Sequence, residues 1–241
     1  TSIMEVSHRG TEYIEVDNQA RERLSRILQL GDDFEILFLQ GGASTQFMMA
    51  PYNLLFDGRE ADYINTGAWS TKAIKEAKRF GNIHTTFSSE RENFNRVPTD
   101  DELQFISDST YVHFTSNNTI FGTQFPKEPD TGAIPLVCDA SSDFLSRPID
   151  ISKYGVLYAG AQKNLGPAGV TIVIIRRDVL DRLNTDIPTI LSYKTHVWKL
   201  FNTPPTFPVY MVNFVLQWIE EKGAIPTSMN WTPKKRRLFT I

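Results

Sequence analysis

The stretch Phe34-Glu35-Ile36-Leu37-Phe38-Leu39-Gln40-Gly41-Gly42-Ala43-Ser44-Thr45-Gln46 decides the fold class. Its apolar run, Phe34 to Gln40, is too short for a buried helix and suits a strand covered on both faces. The small residues Gly41 to Thr45 turn the chain, and Gln46 to Phe56 reads as a helix. Strand, glycine turn and helix in that order make one α/β unit.

Upstream, Tyr13, Val16, Ala20, Leu24, Ile27 and Leu28 recur at intervals of three and four, the stripe of an amphipathic helix from Glu12 that ends at Gly31. Downstream, Ala61 to Asn65 is a second strand, and Thr66-Gly67 leads into a helix from Ser70 to Arg79 that Gly81 stops. Ile83 to Phe87, Tyr111 to Thr115, Pro135 to Asp139, Val156 to Gly160 and Val170 to Ile175 are further strands, rich in Val, Ile, Tyr and Phe. The expected fold is α/β, a large and mostly parallel central sheet flanked by helices. Arg177 to Leu183 reads as a short helix. Asn202-Thr203-Pro204-Pro205 is a stiff turn with no evident partner in its own chain, and it opens a longer helix to Lys222 that Gly223 ends. From Pro226 the character changes, and Pro233-Lys234-Lys235-Arg236-Arg237 followed by Leu238-Phe239-Thr240-Ile241 reads as a helix just beginning. The expected organisation is one domain over 1–223 and, over 224–241, the start of an incomplete second subdomain.

The 241 residues carry 25 Lys+Arg against 28 Asp+Glu, a formal charge of -3, which argues against nucleic-acid binding through a basic surface. With 41% hydrophobic residues the chain can bury a substantial core. The apolar stretches Gly169 to Ile175 and Val209 to Ile219 fall short of the ~20 residues of a spanning helix, so no membrane segment is expected. The single cysteine, Cys138, excludes an internal disulfide and a multi-cysteine metal site, and a reducing, cytoplasmic setting is the simple reading. No signal peptide is expected. Opening on Thr1, the chain reads as a processed or incomplete product.

Four places carry chemistry. Lys163 follows a strand within Ala159-Gly160-Ala161-Gln162-Lys163-Asn164-Leu165-Gly166-Pro167-Ala168-Gly169, where small neighbours would let its amine lie against a planar cofactor. Asp139 ends the apolar strand Leu136-Val137-Cys138, 24 residues earlier (163 − 139), where it could hold a pyridine nitrogen protonated. Alone, it would read as a turn or N-cap aspartate. The turn Gly41 to Thr45 before a helix is a plausible phosphate cradle, though neither a Walker loop nor a G-x-G-x-x-G motif. Trp69 stands where a strand turns into a helix and could stack on a ring; by itself it would equally be a core tryptophan. Together the four describe a pyridoxal 5'-phosphate site.

These residues, with Ser2-Ile3-Met4-Glu5-Val6-Ser7-His8-Arg9, Gln40-Gly41-Gly42-Ala43-Ser44-Thr45-Gln46-Phe47, Thr115-Ser116-Asn117-Asn118-Thr119-Ile120, Ala161 to Pro167 and Phe201 to Pro205, resemble the phosphoserine aminotransferases. These are class V members of the fold-type I pyridoxal phosphate enzymes, and the resemblance runs to about Gly223. It implies that 1–223 is the cofactor-binding large domain and 224–241 a stub of the C-terminal α+β subdomain. Lys163 would be the Schiff-base lysine, Asp139 the partner of the pyridinium nitrogen, Trp69 the stacking ring and Thr119 the donor to the phenolic oxygen. Ala43, Ser44 and Gln162 would hold the phosphate, and Asn202 and Thr203 would reach the phosphate of the other subunit of a homodimer. His8 and Arg9 would meet substrate; arginine suits an oxyanion because it is always charged and binds in two-pronged fashion. The implied reaction moves an amino group from L-glutamate to 3-phosphohydroxypyruvate, giving O-phospho-L-serine and 2-oxoglutarate, with Lys163 first a covalent tether and then a general base.

The chain departs from the family pattern at both ends, where an amino-terminal segment and the C-terminal arginine-bearing subdomain are expected. It also departs at His196-Val197-Trp198-Lys199-Leu200, shorter than the family's loop. Substrate binding is therefore only half encoded. Another class V aminotransferase and a non-catalytic cofactor-binding relic are the alternatives. A cysteine desulfurase of the same fold needs a nucleophilic cysteine on a mobile loop, whereas Cys138 sits inside an apolar strand and reads as inert. His84 and His113, in expected strands, read as core or edge residues rather than metal ligands.

Overall fold

In the computed structural model, which describes residues 2–198 and 200–223, helix α1 (Thr11–Leu28) leads into strand β1 (Phe34–Leu39) and helix α2 (Gly42–Leu54). Strand β2 (Glu60–Asn65), helix α3 (Ala68–Ala77) and strands β3 (Asn82–Ser88) and β4 (Ser109–Thr115) follow. Next come a two-rung hairpin, β5 (Asn117–Asn118) with β6 (Thr123–Gln124), and strands β7 (Leu136–Asp139), β8 (Tyr154–Gly160) and β9 (Thr171–Arg176). Helices α4 (Arg177–Leu180), α5 (Tyr193–Trp198) and α6 (Thr206–Glu221) complete the described chain. The expectations for 224–241 lie outside the described residues.

Seven strands form one sheet in the order β1-β9-β8-β7-β4-β2-β3. Only β9 runs against its neighbours; the pairings β8·β7, β7·β4, β4·β2 and β2·β3 are parallel. Six strands therefore point the same way and deliver their carboxyl ends to one edge. Alternation sorts side chains to the two faces. Ile36, Phe38, Phe114, Cys138, Leu157 and Ile174 face a core closed by α1 and α6, whereas Leu37, Tyr63, Val137, Tyr158 and Val173 face one closed by α2 and α3. On α6 the buried positions Val209, Val212, Leu216 and Ile219 keep the helical interval. Arg23 and Arg26 of α1 reach Glu220 of α6 at 2.6 and 2.9 Å, tying the two helices at their rims.

Several boundaries differ from the sequence reading. Helix α1 stops at Leu28, because Gln29 takes the left-handed cap (φ 54°) that had been expected at Gly31. Helix α2 begins at Gly42 rather than Gln46: the Gly41 carbonyl accepts both the Thr45 N–H (3.4 Å) and the Thr45 hydroxyl (3.0 Å). Gly41 has φ 94°, and a Cβ there would lie 2.0 Å from Thr45 Oγ1, so only glycine fits. The two-residue strands β5 and β6 and the short helix α5 carry too little periodicity to be read in advance.

Candidate active site

The sheet direction sets the site. Gly41 follows β1, Trp69 follows β2, Thr119 follows β4, Asp139 ends β7 and Lys163 follows β8, all at the common carboxyl edge where α/β sheets hold ligands.

Lys163 is half-buried, and its Nζ lies 3.4 Å from Thr119 Oγ1 and 5.2 Å from the centre of the Trp69 ring. Trp69 Nε1–H donates to the same Thr119 hydroxyl at 3.2 Å, so three side chains from three crossovers meet at one oxygen. Trp69 is seated by Asn118, whose Oδ1 accepts the backbone N–H groups of Trp69 (3.1 Å) and Ser70 (3.4 Å) and whose Nδ2 donates to Thr66 Oγ1 (3.0 Å). That seat needs Gly67, where a Cβ would come within 2.5 Å of the Asn118 side chain. Asn118 belongs to a quoted motif but carried no assigned role; an asparagine three residues past a strand end, able to cap a neighbouring helix, was its only signal.

Asp139 is 4% exposed. Its Oδ1 accepts the Ser141 N–H at 3.0 Å. Burial pushes its carboxyl above the ordinary range, opposed by hydrogen bonds from Ser141 and by the nearby Lys163 ammonium. A buried carboxylate with this environment favours a cationic partner. Behind it, His113 Nε2 and the Tyr158 hydroxyl lie 2.7 Å apart, and burial lowers the imidazole to about 3. Among the described residues His113 Nδ1 has no hydrogen-bond partner. Cys138 is buried and burial raises its thiol, as an inert cysteine requires. Among the described residues no group of three or more His, Cys, Asp or Glu is gathered for a metal ion. His84 is not a core residue: it stands on the edge strand β3, its Nδ1 2.5 Å from the fully buried Asp62.

Ala43 and Ser44 occupy the first turn of α2, where helix geometry leaves backbone N–H groups without partners and favours an anion. Gln162 is exposed and folds back over Gly160, whose absent Cβ would lie 2.6 Å from Gln162 Oε1.

Residues 1–237 match the aminotransferase class-V family. The chain belongs to that family. Among relatives of this class V chain, the phosphoserine aminotransferase of Herpetosiphon aurantiacus is 50% identical over 236 residues, 97% of this chain and 66% of the relative. The solved phosphoserine aminotransferase of Bacillus circulans subsp. alkalophilus superposes with a TM-score of 0.90 at 51% identity, over 93% of this chain and 63% of that one. The pyridoxal-phosphate-bound phosphoserine aminotransferase of Trichomonas vaginalis gives 0.87 at 40% identity, over 94% and 64%. The chain thus spans just under two thirds of these relatives.

In this class V aminotransferase chain the turn Asn202–Pro205 does have a partner in its own chain, contrary to the sequence reading. Asn202 Nδ2 donates to Gln40 Oε1 at 3.0 Å, and Gln40 Nε2 donates to the Thr203 carbonyl at 3.1 Å, which holds the turn beside Gly41. The two segments line a groove of about 240 Å³ with Arg21, Met49 and Phe201. His8 and Arg9 precede α1; Arg9 Nε lies 3.4 Å from His8 Nε2, and Arg9 borders an open depression with Ile14, Leu200 and Phe201. No hydrogen bond among the described residues joins His8 or Arg9 to Lys163 or Asp139.

Proposed function

We propose that this chain is the cofactor-binding body of a phosphoserine aminotransferase, a pyridoxal phosphate enzyme moving the amino group of L-glutamate to 3-phosphohydroxypyruvate. The observation that carries the reading is the meeting of Lys163, Thr119 and Trp69 beside the buried Asp139, a carboxylate raised by burial that forms no ion pair among the described residues. That donor set fits pyridoxal phosphate: a ring nitrogen for Asp139, a phenolic oxygen for Thr119, a flat face for Trp69 and a phosphate for the N–H groups of Ala43 and Ser44. Gln162, Asn202 and Thr203 complete the phosphate's surroundings, the last two from the second subunit of a homodimer. When bound, the cofactor supplies an electron-accepting ring that stabilises negative charge at the substrate Cα.

The chain's own residues do the rest. Lys163 Nζ would hold the cofactor, and its free amine would carry a proton to and from the substrate Cα, with the neighbouring hydroxyl of Thr119 steering it. Asp139 keeps its charge fixed behind the ring. His8 and Arg9 recognise the anionic substrate, the guanidinium gripping two oxygens at once. The single unpaired cysteine fits a reducing cytoplasmic compartment, and no described helix is long and apolar enough to cross a membrane. With full-length protein and L-glutamate as donor, an acceptor screen should give turnover with 3-phosphohydroxypyruvate and little with glyoxylate or pyruvate. Preference for either of the latter would favour another class V aminotransferase.

A further inference from the structure

The parallel ladder between β7 and β8 ends in an unusual way. Ala140 N–H still donates to the Tyr158 carbonyl at 2.9 Å, as the pairing requires. The next rung would join Gly160 N–H to the Ala140 carbonyl. That carbonyl has instead turned back to accept Phe144 N–H (2.9 Å) and Asp143 N–H (3.3 Å). Gly160 N–H donates to Ser141 Oγ at 3.0 Å, so a side-chain oxygen replaces the missing rung. Ser141 is 7% exposed, and its backbone N–H already holds Asp139 Oδ1. Accepting from Gly160 leaves the hydroxyl's own proton uncommitted, and the Ser141 side chain, with its backbone N–H, helps hold the Asp139 carboxyl down against its burial.

We infer that Ser141 is a positioning residue, coupling the carboxylate of Asp139 to the strand end that leads through Ala161 and Gln162 to Lys163. Ser141 holds Gly160 N–H through its Oγ and Asp139 Oδ1 through its backbone N–H, and so fixes the spacing between the group behind the cofactor ring and the group in front of it. The inference rests on the reading of the site as a pyridoxal phosphate site. The charged or titratable groups around Asp139 are Lys163, Asp143, Cys138 and Tyr158, with His113 behind Tyr158.

Full-length protein loaded with pyridoxal phosphate provides the test, through cofactor affinity and the pH midpoint of the bound cofactor's absorbance change. Without the Ser141 hydroxyl the carboxylate is less stabilised as an anion and holds the ring proton less well. The ring then withdraws fewer electrons, and the nitrogen joining it to Lys163 keeps its proton to higher pH. In Ser141→Ala the midpoint should rise by about one unit and the affinity fall about tenfold, the scale of one charge-assisted hydrogen bond. Ser141→Thr, which keeps the hydroxyl, should restore both. If Ser141→Ala does not fold, Ser141→Cys, similar in size and a weak hydrogen-bonder, should shift the midpoint in the same direction. An unchanged midpoint in the variant lacking the hydroxyl, or an equal shift in Ser141→Thr, overturns the inference while leaving the functional reading intact. Failure of the unmodified protein to take up pyridoxal phosphate overturns the functional reading and the inference with it.

Discussion

The Lys163 ammonium lies 5.2 Å from the centre of the Trp69 ring, although 94 residues separate them (163 − 69). This distance is within the range of a cation–π contact. It brings an amine and an aromatic face from different crossovers to one place. Borohydride reduction of protein mixed with pyridoxal phosphate should fix the cofactor on Lys163, as read by peptide mass spectrometry. An adduct on Lys72, whose Nζ is 4.3 Å from the same ring centre, would reassign the amine.

Asp139 ties function to a cost in stability. Burial raises its carboxyl, so the folded cofactor-free protein binds that proton more tightly than the unfolded chain. The resulting stabilisation is complete below the unfolded carboxylate value and is lost as pH rises through the folded one. At neutral pH, cofactor-free Asp139→Asn should therefore melt roughly 2–4 °C above the unmodified protein. The advantage should vanish near pH ~4. The same variant should bind pyridoxal phosphate more weakly. A lower melting temperature for cofactor-free Asp139→Asn at neutral pH would mean that the carboxylate is already fully satisfied within the chain.

His113 has the opposite sign. Burial lowers its imidazole from 6.5 to about 3, so the unfolded chain takes up a proton that the folded protein refuses. Stability from this group is fully present above 6.5 and drains away as pH falls toward 3. Relative to His113→Gln, the protein should lose stability on the order of several kcal/mol across that window. Parallel urea titrations at several pH values measure the difference, and a constant difference would show that His113 does not titrate on unfolding.

Asn202 and Thr203 can be placed by complementation. Full-length protein lacking Lys163, mixed with protein carrying Asn202→Ala and Thr203→Ala, should regain activity if the turn serves the partner's phosphate site. Heterodimers without activity would assign the turn to its own Gln40 and Gly41.

The sequence carries the fold more openly than it carries the site. Strands such as Val170 to Ile175 are buried on both faces, so an unbroken apolar run marks them whatever lies around them. The residues that aim the chemistry are polar and local in character: Asn118 and Ser141 look like ordinary turn residues, and only the ladder rungs and helix ends they satisfy distinguish them. Gly41 to Thr45 read as an open turn because glycine disfavours helices, yet the Thr45 hydroxyl and N–H both close onto the Gly41 carbonyl and start the helix four residues early. The partner of Asn202 was invisible because Gln40 lies 162 residues away.

The edge position of β1 has a consequence for how the chain is made. Phe34 pairs with Arg176, 142 positions later (176 − 34), and among the described residues β1 pairs with β9 alone. At a ribosomal pace of ~5–20 residues per second, β1 emerges roughly 7–28 seconds before its partner strand exists. Throughout that interval Phe34-Glu35-Ile36-Leu37-Phe38-Leu39 is an unsheltered, aggregation-prone ribbon on a nascent chain. It is therefore the segment where a chaperone would be expected to bind during translation.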